Sequence, residues 1–167
     1  MTLGILPVRS YASLMRASAS FVVRVYDMCD AIRSASEIPT EQNTRSQQDD
    51  PAMINNLHRI KDIGLETRKY LENGKPEAFG ELLHTHWEIK KKRSKNMSDA
   101  CIDEAYELAR KNGASGGKLI GAGGGGFLML YCENNHKHNV IEAMLRQGLR
   151  WESFRFDFDG AKILVNA

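Results

Sequence analysis

The sequence predicts an α+β fold, a helical block followed by an antiparallel sheet, and three observations carry that prediction. Apolar residues recur at helical spacing between residues 51 and 112. The last third then changes to short runs rich in β-branched and aromatic residues. Glycines and an Asp-Gly pair separate those runs, as hairpins require.

Length and composition agree with one compact domain that can bury a real core: 167 residues, 42% hydrophobic and 26% charged. A net charge of +2 is too small to suggest a nucleic-acid footprint, so no nucleic-acid partner is expected. No apolar run approaches the roughly 18 residues of a membrane span, so no membrane partner is expected either. Cys29, Cys101 and Cys132 are widely spaced and odd in number, which argues against a disulfide framework or zinc site and fits a reducing cytoplasm.

The elements follow in order. The first 26 residues hold Arg9, Arg16 and Arg24, four serines and no acid. Organelle transit peptides share that composition, but the preferred reading is an irregular start with one strand, Phe21–Tyr26. Pro39–Asp50 is polar and reads as a loop. Asp50 then caps a helix with Pro51 at its first position, and Asn73-Gly74 stops it. Its apolar face is expected at Ile54, Leu57, Ile60 or Lys61, Gly64 or Leu65, and Leu71. A second helix starts near Lys75-Pro76 and carries Phe79, Leu82, Leu83, His86, Trp87 and Lys90 on one face. A third runs from Ser98 to Asn112, with Ile102, Ala105, Tyr106 and Ala109 inward, and ends at Gly113.

Lys118–Ile120 reads as a short strand and Phe127–Cys132 as a longer one. The segment NHKHNVIEAMLRQG is a helix with Val140, Ile141, Met144 and Leu145 inward. WESFRFDFD alternates from Trp151, and Asp159-Gly160 turns it into KILVN as a closing hairpin.

Between the first two strands of this region lies the most unusual stretch. GGKLIGAGGGGF, residues 116–127, gives seven of twelve positions to glycine. Glycine loses more freedom on folding than any other residue, so the run calls for a reason. Gly121 to Gly126 satisfies G-x-G-x-x-G, but the dinucleotide fingerprint needs a helix next, and here a strand follows. A Walker A loop needs Ser or Thr after Gly-Lys, and Gly117-Lys118 is followed by Leu119. The protein-kinase glycine loop does sit between strands, but only 41 residues remain after Gly126 and its partner motifs are absent. The surviving reading is physical. Consecutive glycines adopt positive φ and bring several N–H groups close to a ligand, in preference to close packing alone or a linker.

The segment GASGGKLIGAGGGGFLMLY resembles the third signature motif of the GHMP kinases, the superfamily of galactokinase, homoserine kinase and mevalonate kinase. RSASEI (33–38), Gln42-Asn43, FGELLHTHWEIKKKRS (79–94), IDEAYELARKNGASGGKLIGAGGGGF (102–127) and FRFDFDGAKI (154–163) resemble its branch acting on D-glycero-D-manno-heptose 7-phosphate. The resemblance implies a GHMP kinase C-terminal domain over residues 33–167, with a ferredoxin-like sheet under helices, and a poorly matching segment over 1–32. It implies ATP and Mg2+ as cosubstrate and metal, and Gly121, Gly123, Gly124, Gly125 and Gly126 as a phosphate or ligand loop beside the cleft. Arg33, Ser34 and Lys118 are the candidate substrate contacts; Lys118 either faces the cleft or alternates outward. The family's ATP loop, P-x-x-x-G-L-G-S-S-A, and its acidic catalytic residues are not found in this sequence. No catalytic residue and no metal ligand are therefore assigned. The expected partners are a sugar phosphate and either a separate nucleotide-binding domain or a second copy of the chain.

Two further features have plainer readings. His84 and His86 sit two apart and point about 200° apart on a helix, so they cannot share a metal; His86 is expected to pack beside Trp87. The run KKKRSK (90–95) reads as a basic helix end, where cations meet the last carbonyls; in a sugar-phosphate kinase its lysines or Arg93 would favour an anionic substrate. The expectation is thus the C-terminal part of an ATP-dependent sugar kinase in the cytoplasm, incomplete as a catalyst alone. The competing expectation is a stand-alone binding module without chemistry.

Overall fold

A computed structural model of the chain describes residues 19–24 (backbone), 37–94, 97–121 and 126–154. Their order is β1 (Ala19–Arg24), α1 (Glu37–Gln47), α2 (Pro51–Glu72), α3 (Ala78–Lys91), α4 (Ala100–Lys111), β2 (Ala114–Ile120), β3 (Phe127–Cys132), α5 (Lys137–Arg146) and β4 (Arg150–Glu152). The strands form one antiparallel sheet in the order β2-β3-β1-β4. The fold is the expected α+β class. Strand β1 falls two residues before the expected Phe21–Tyr26 and pairs with β3 along its whole length, Ala19 with Cys132 and Arg24 with Phe127.

The caps explain the helices. Asp50 Oδ1 accepts from the Ala52 and Met53 amides at 2.9 and 3.3 Å, so α2 starts where the Asp-Pro pair predicts. Gly74, at φ 69°, ends it. Asp99 accepts from Ile102 N at 2.8 Å and starts α4.

One segment departs from expectation. The polar stretch read as a loop is helix α1. Pro39 falls in its first turn, where a missing N–H costs nothing, and Ile38 anchors it, 1% exposed in the core. Arg45 completes the anchorage by holding Asp50 at 2.7 Å and the Arg93 carbonyl at 2.9 Å.

Helices α3 and α4 pack on β2, while α2 packs on α3. That arrangement narrows the inward stripe of α2 to one helix-wide seam. Met53 and Ile63 are buried, with Asn56, Ile60 and Thr67 half-buried between and after them. Leu57 and Leu65, expected inward, are 38% and 58% exposed. Helix α4 buries Ile102, Ala105, Tyr106 and Ala109 as expected. In α5, Val140 and Met144 are buried, but Leu145 lies outward. Strand β2 begins four residues earlier than expected, at Ala114, and its pairing with β3 is irregular between Ala114 and Gly116.

The core joins Ile38, Trp87, Met97, Tyr106, Leu119, Leu128, Leu130 and Met144. Cys132 is buried, and burial pushes its thiol up to about 11. Cys101 is disulfide-bonded, a bridge that the odd, widely spaced cysteines did not announce. Strand β4 is exposed along its length, including Trp151, so its alternation does not mark a buried face here. The expected hairpin beyond Phe154 lies outside the described residues. Among the described residues, no helix is long and apolar enough to cross a membrane.

Candidate anion site at the foot of the glycine segment

The glycines of residues 116–127 divide into two physical kinds. A Cβ on Gly116 would run into the carbonyl oxygen of Gly80, and one on Gly117 would meet Met129 O and lie 2.8 Å from Leu130 Cδ2. Gly116 lets α3 lie directly on β2, while Gly117 lets β2 and β3 approach closely. Gly121 and Gly126 are different: each has positive φ, 103° and 115°, where glycine alone is unstrained. They stand at the two ends of the connection between β2 and β3. Gly123, Gly124 and Gly125 lie outside the described residues, as do Arg33 and Ser34.

Basic side chains gather where β2 ends. Lys90, in the last turn of α3, donates to the carbonyls of Leu119 at 3.1 Å and Gly121 at 2.9 Å. It thereby ties the helix end to the entrance of the glycine segment. Burial first, then the charges of Lys118 and Arg93, hold its ammonium down at about 8. Lys118, half-buried, is lowered by burial and by Arg93. Arg93 is itself lowered by burial. His86 is pushed down to about 4 by burial and by Lys118, Lys90 and Arg93, so it is neutral at pH 7. Four basic groups therefore share one neighbourhood, and among the described residues no carboxylate is one of the charges acting on them.

The surroundings fix this arrangement. Arg93 Nε donates to Asn56 Oδ1 at 3.0 Å, and Asn56 Nδ2 donates to Ile89 O at 2.7 Å. Behind β2, His84 Nδ1 and Tyr106 Oη lie 2.7 Å apart, and burial raises the Tyr106 phenol above its usual range. Trp87, fully buried beside Tyr106, leaves its Nε1 without a partner among the described residues. The two histidines thus serve different neighbours, as their spacing predicts.

Chemically, half-buried cations with no counter-charge among the described residues suit phosphate oxygens and repel a divalent metal. Among the described residues, no group of three or more His, Cys, Asp or Glu gathers, so none is assigned to Mg2+. A cavity of about 380 Å³ against α4 is lined by Asp103, Glu104 and Glu107 and is unsuited to an anion. Of the sequence candidates, the structure brings together Lys118, Gly121 and, across the strand pair, Gly126. It adds Lys90 through its carbonyl contacts and Asn56 through its hold on Arg93; in sequence, Asn56 is one polar residue of α2 among many.

Several known proteins resemble this chain. The family described as GHMP kinases C terminal matches residues 67–149. A D-glycero-alpha-D-manno-heptose 7-phosphate kinase of Campylobacter jejuni is 28% identical over 130 residues, 78% of this chain and 38% of that protein. The chain therefore spans well under half the length of that relative. Among solved structures, L. major mevalonate kinase in complex with R-mevalonate aligns at a TM-score of 0.67 and 17% identity, over 78% of this chain and 38% of that one. A D-glycero-D-manno-heptose 1-phosphate kinase from Bacteroides thetaiotaomicron aligns at 0.55 and 23%, over 92% and 37%. Both solved structures share the fold.

Proposed function

Because the chain carries a GHMP kinase C-terminal domain, we propose that it supplies the C-terminal part of an ATP-dependent sugar kinase. The substrate class is a sugar phosphate, with a heptose 7-phosphate as the specific candidate, a choice supported by the Campylobacter relative's name. In this reading the chain provides the glycine loop and part of the sugar site. Gly121, Gly123, Gly124, Gly125 and Gly126 bring backbone N–H groups to a phosphate. Lys118 and Lys90 stand at its foot and neutralise charge, while Arg33 and Ser34 contact the sugar or its phosphate. Transfer from Mg-ATP is mostly positioning and charge neutralisation, and these residues perform that part. ATP and the metal are held chiefly by a nucleotide-binding domain, on the same protein or a partner. A cytoplasmic location suits an ATP-dependent enzyme of this kind.

The observation that carries this reading is that Lys90, beside Lys118, is held against the Leu119 and Gly121 carbonyls at the mouth of a segment bounded by two positive-φ glycines. Calorimetric titration with D-glycero-D-manno-heptose 7-phosphate, against unphosphorylated heptose, tests it. Binding should depend on the phosphate and weaken about tenfold in Lys118→Ala, the value of one charge-assisted hydrogen bond. Gly124→Val should weaken binding of ligand or nucleotide domain while leaving the chain folded. Unchanged affinity in both variants would remove the glycine segment from the site.

A further inference from the structure

We propose a second anion site in this molecule, a cleft between α1, α2 and the C-terminal end of α3 that takes the phosphate monoester of a small metabolite. The cleft holds about 300 Å³, and its polar lining is Arg45, Asn55, Asn56, Arg59, Lys92 and Arg93. Among the described residues, no carboxylate lines it. That volume is at the small end of ligand pockets, enough for a phosphate with a compact organic group.

Its cations have distinct tasks. Arg45 is occupied with structure: its Nε and Nη2 each lie 2.7 Å from Asp50 Oδ2, and its Nη1 donates to Arg93 O. Arg59, Lys92 and Arg93 have no ion-pair partner among the described residues. Arg93 is pre-positioned. Asn56 holds its Nε, Ile89 O holds Asn56, and the Nη groups make no bond among the described residues. A planar fork whose Nη1–Nη2 edge is unused matches a phosphate bidentately. Arg59 and Lys92, both exposed, add flexible charge at the rim.

A simpler account would be a basic helix end, since cations favour the last carbonyls of a helix. That covers Lys92 and Arg93, which follow α3. It does not cover Arg59, which comes from the middle of α2 and lines the same cleft, nor an amide spent on aiming Arg93. The cleft shares Arg93 and its brace Asn56 with the basic group at the foot of the glycine segment, but it draws on neither Lys118 nor the glycines.

The test is calorimetry on the full chain with three probes: glucose 6-phosphate, inorganic phosphate and glucose. Glucose 6-phosphate should bind more tightly than inorganic phosphate, and glucose should not bind. Arg59→Ala/Lys92→Ala should weaken glucose 6-phosphate about tenfold or more with an unchanged circular dichroism spectrum, since both residues are exposed. The same loss should appear when the double variant is made on a Lys118→Ala background, in which the glycine segment no longer competes for the phosphate. Equal binding of glucose, or full affinity in the double variant, would overturn the site. No binding of glucose 6-phosphate by Lys118→Ala alone would move the ligand wholly to the glycine segment and also overturn it. Inorganic phosphate binding as tightly as glucose 6-phosphate would overturn the assignment to a metabolite.

Discussion

Gly116 and Gly80 meet backbone to backbone, and their neighbours show what glycine is for at each position in this chain. Gly116→Ala would drive a Cβ into the Gly80 carbonyl, which cannot swing aside as a side-chain tip can, and should cost about 2–3 kcal/mol in denaturant unfolding. Gly64, on the exposed side of α2 with open space where a methyl would go, should behave oppositely. Gly64→Ala should stabilise by about 0.5–1 kcal/mol through helix propensity. The basic residues make a pH prediction with a definite sign. Folding lowers Lys90 from 10.5 to about 8, so between those values the unfolded chain binds more protons and stability rises with pH. His86, lowered from 6.5 to about 4, adds a loss of stability as pH falls through that window. Unfolding midpoints followed across pH should show a shallower alkaline rise in Lys90→Met and a shallower acid loss in His86→Gln. Parallel profiles for wild type and variants would mean the two groups titrate as they do in water.

Among elements, α2 separates what periodicity reveals from what packing decides. Its ends were legible because Asp50, Pro51 and Gly74 are local devices whose chemistry does not depend on the rest of the fold. Its face was not, because Leu57 and Leu65 fit a helical stripe equally well in sequence. Only the packing of α2, chiefly on α3 and also on α1, selects Met53, Asn56 and Ile63. Ile63→Ala should therefore cost about 2–4 kcal/mol and Leu65→Ala less than about 0.5 kcal/mol, measured by equilibrium denaturation. Equal costs would place the inward face wrongly. Helix α1 was illegible for a related reason: one buried isoleucine and an arginine clasp stabilise it, and neither gives a periodic signal. Helix α4 was legible throughout, since it is packed tightly enough for its four inward residues to show the full period.

At the scale of the whole molecule, a sheet of four antiparallel strands carries the helices, and the glycine segment opens where β2 meets the end of α3. The segment's glycines and Lys118 were legible as a candidate site from sequence. The convergence of Lys90, Arg93 and Asn56 near them was not, because spacing along the chain cannot place residues of three different elements beside one another. Their proximity arises from the packing of α2 on α3 and of α3 on β2. The central claim is that the lysines at the foot of the glycine segment bind the phosphate of a sugar phosphate. The most direct measurement is an amide-resolved NMR titration of the 18.8 kDa chain with D-glycero-D-manno-heptose 7-phosphate, with unphosphorylated heptose as control. The account predicts saturable shifts at the amides of Lys118, Gly121 and Gly126 that need the phosphate and disappear in Lys118→Ala. Shifts confined to other residues, or identical shifts with the unphosphorylated sugar, would contradict it.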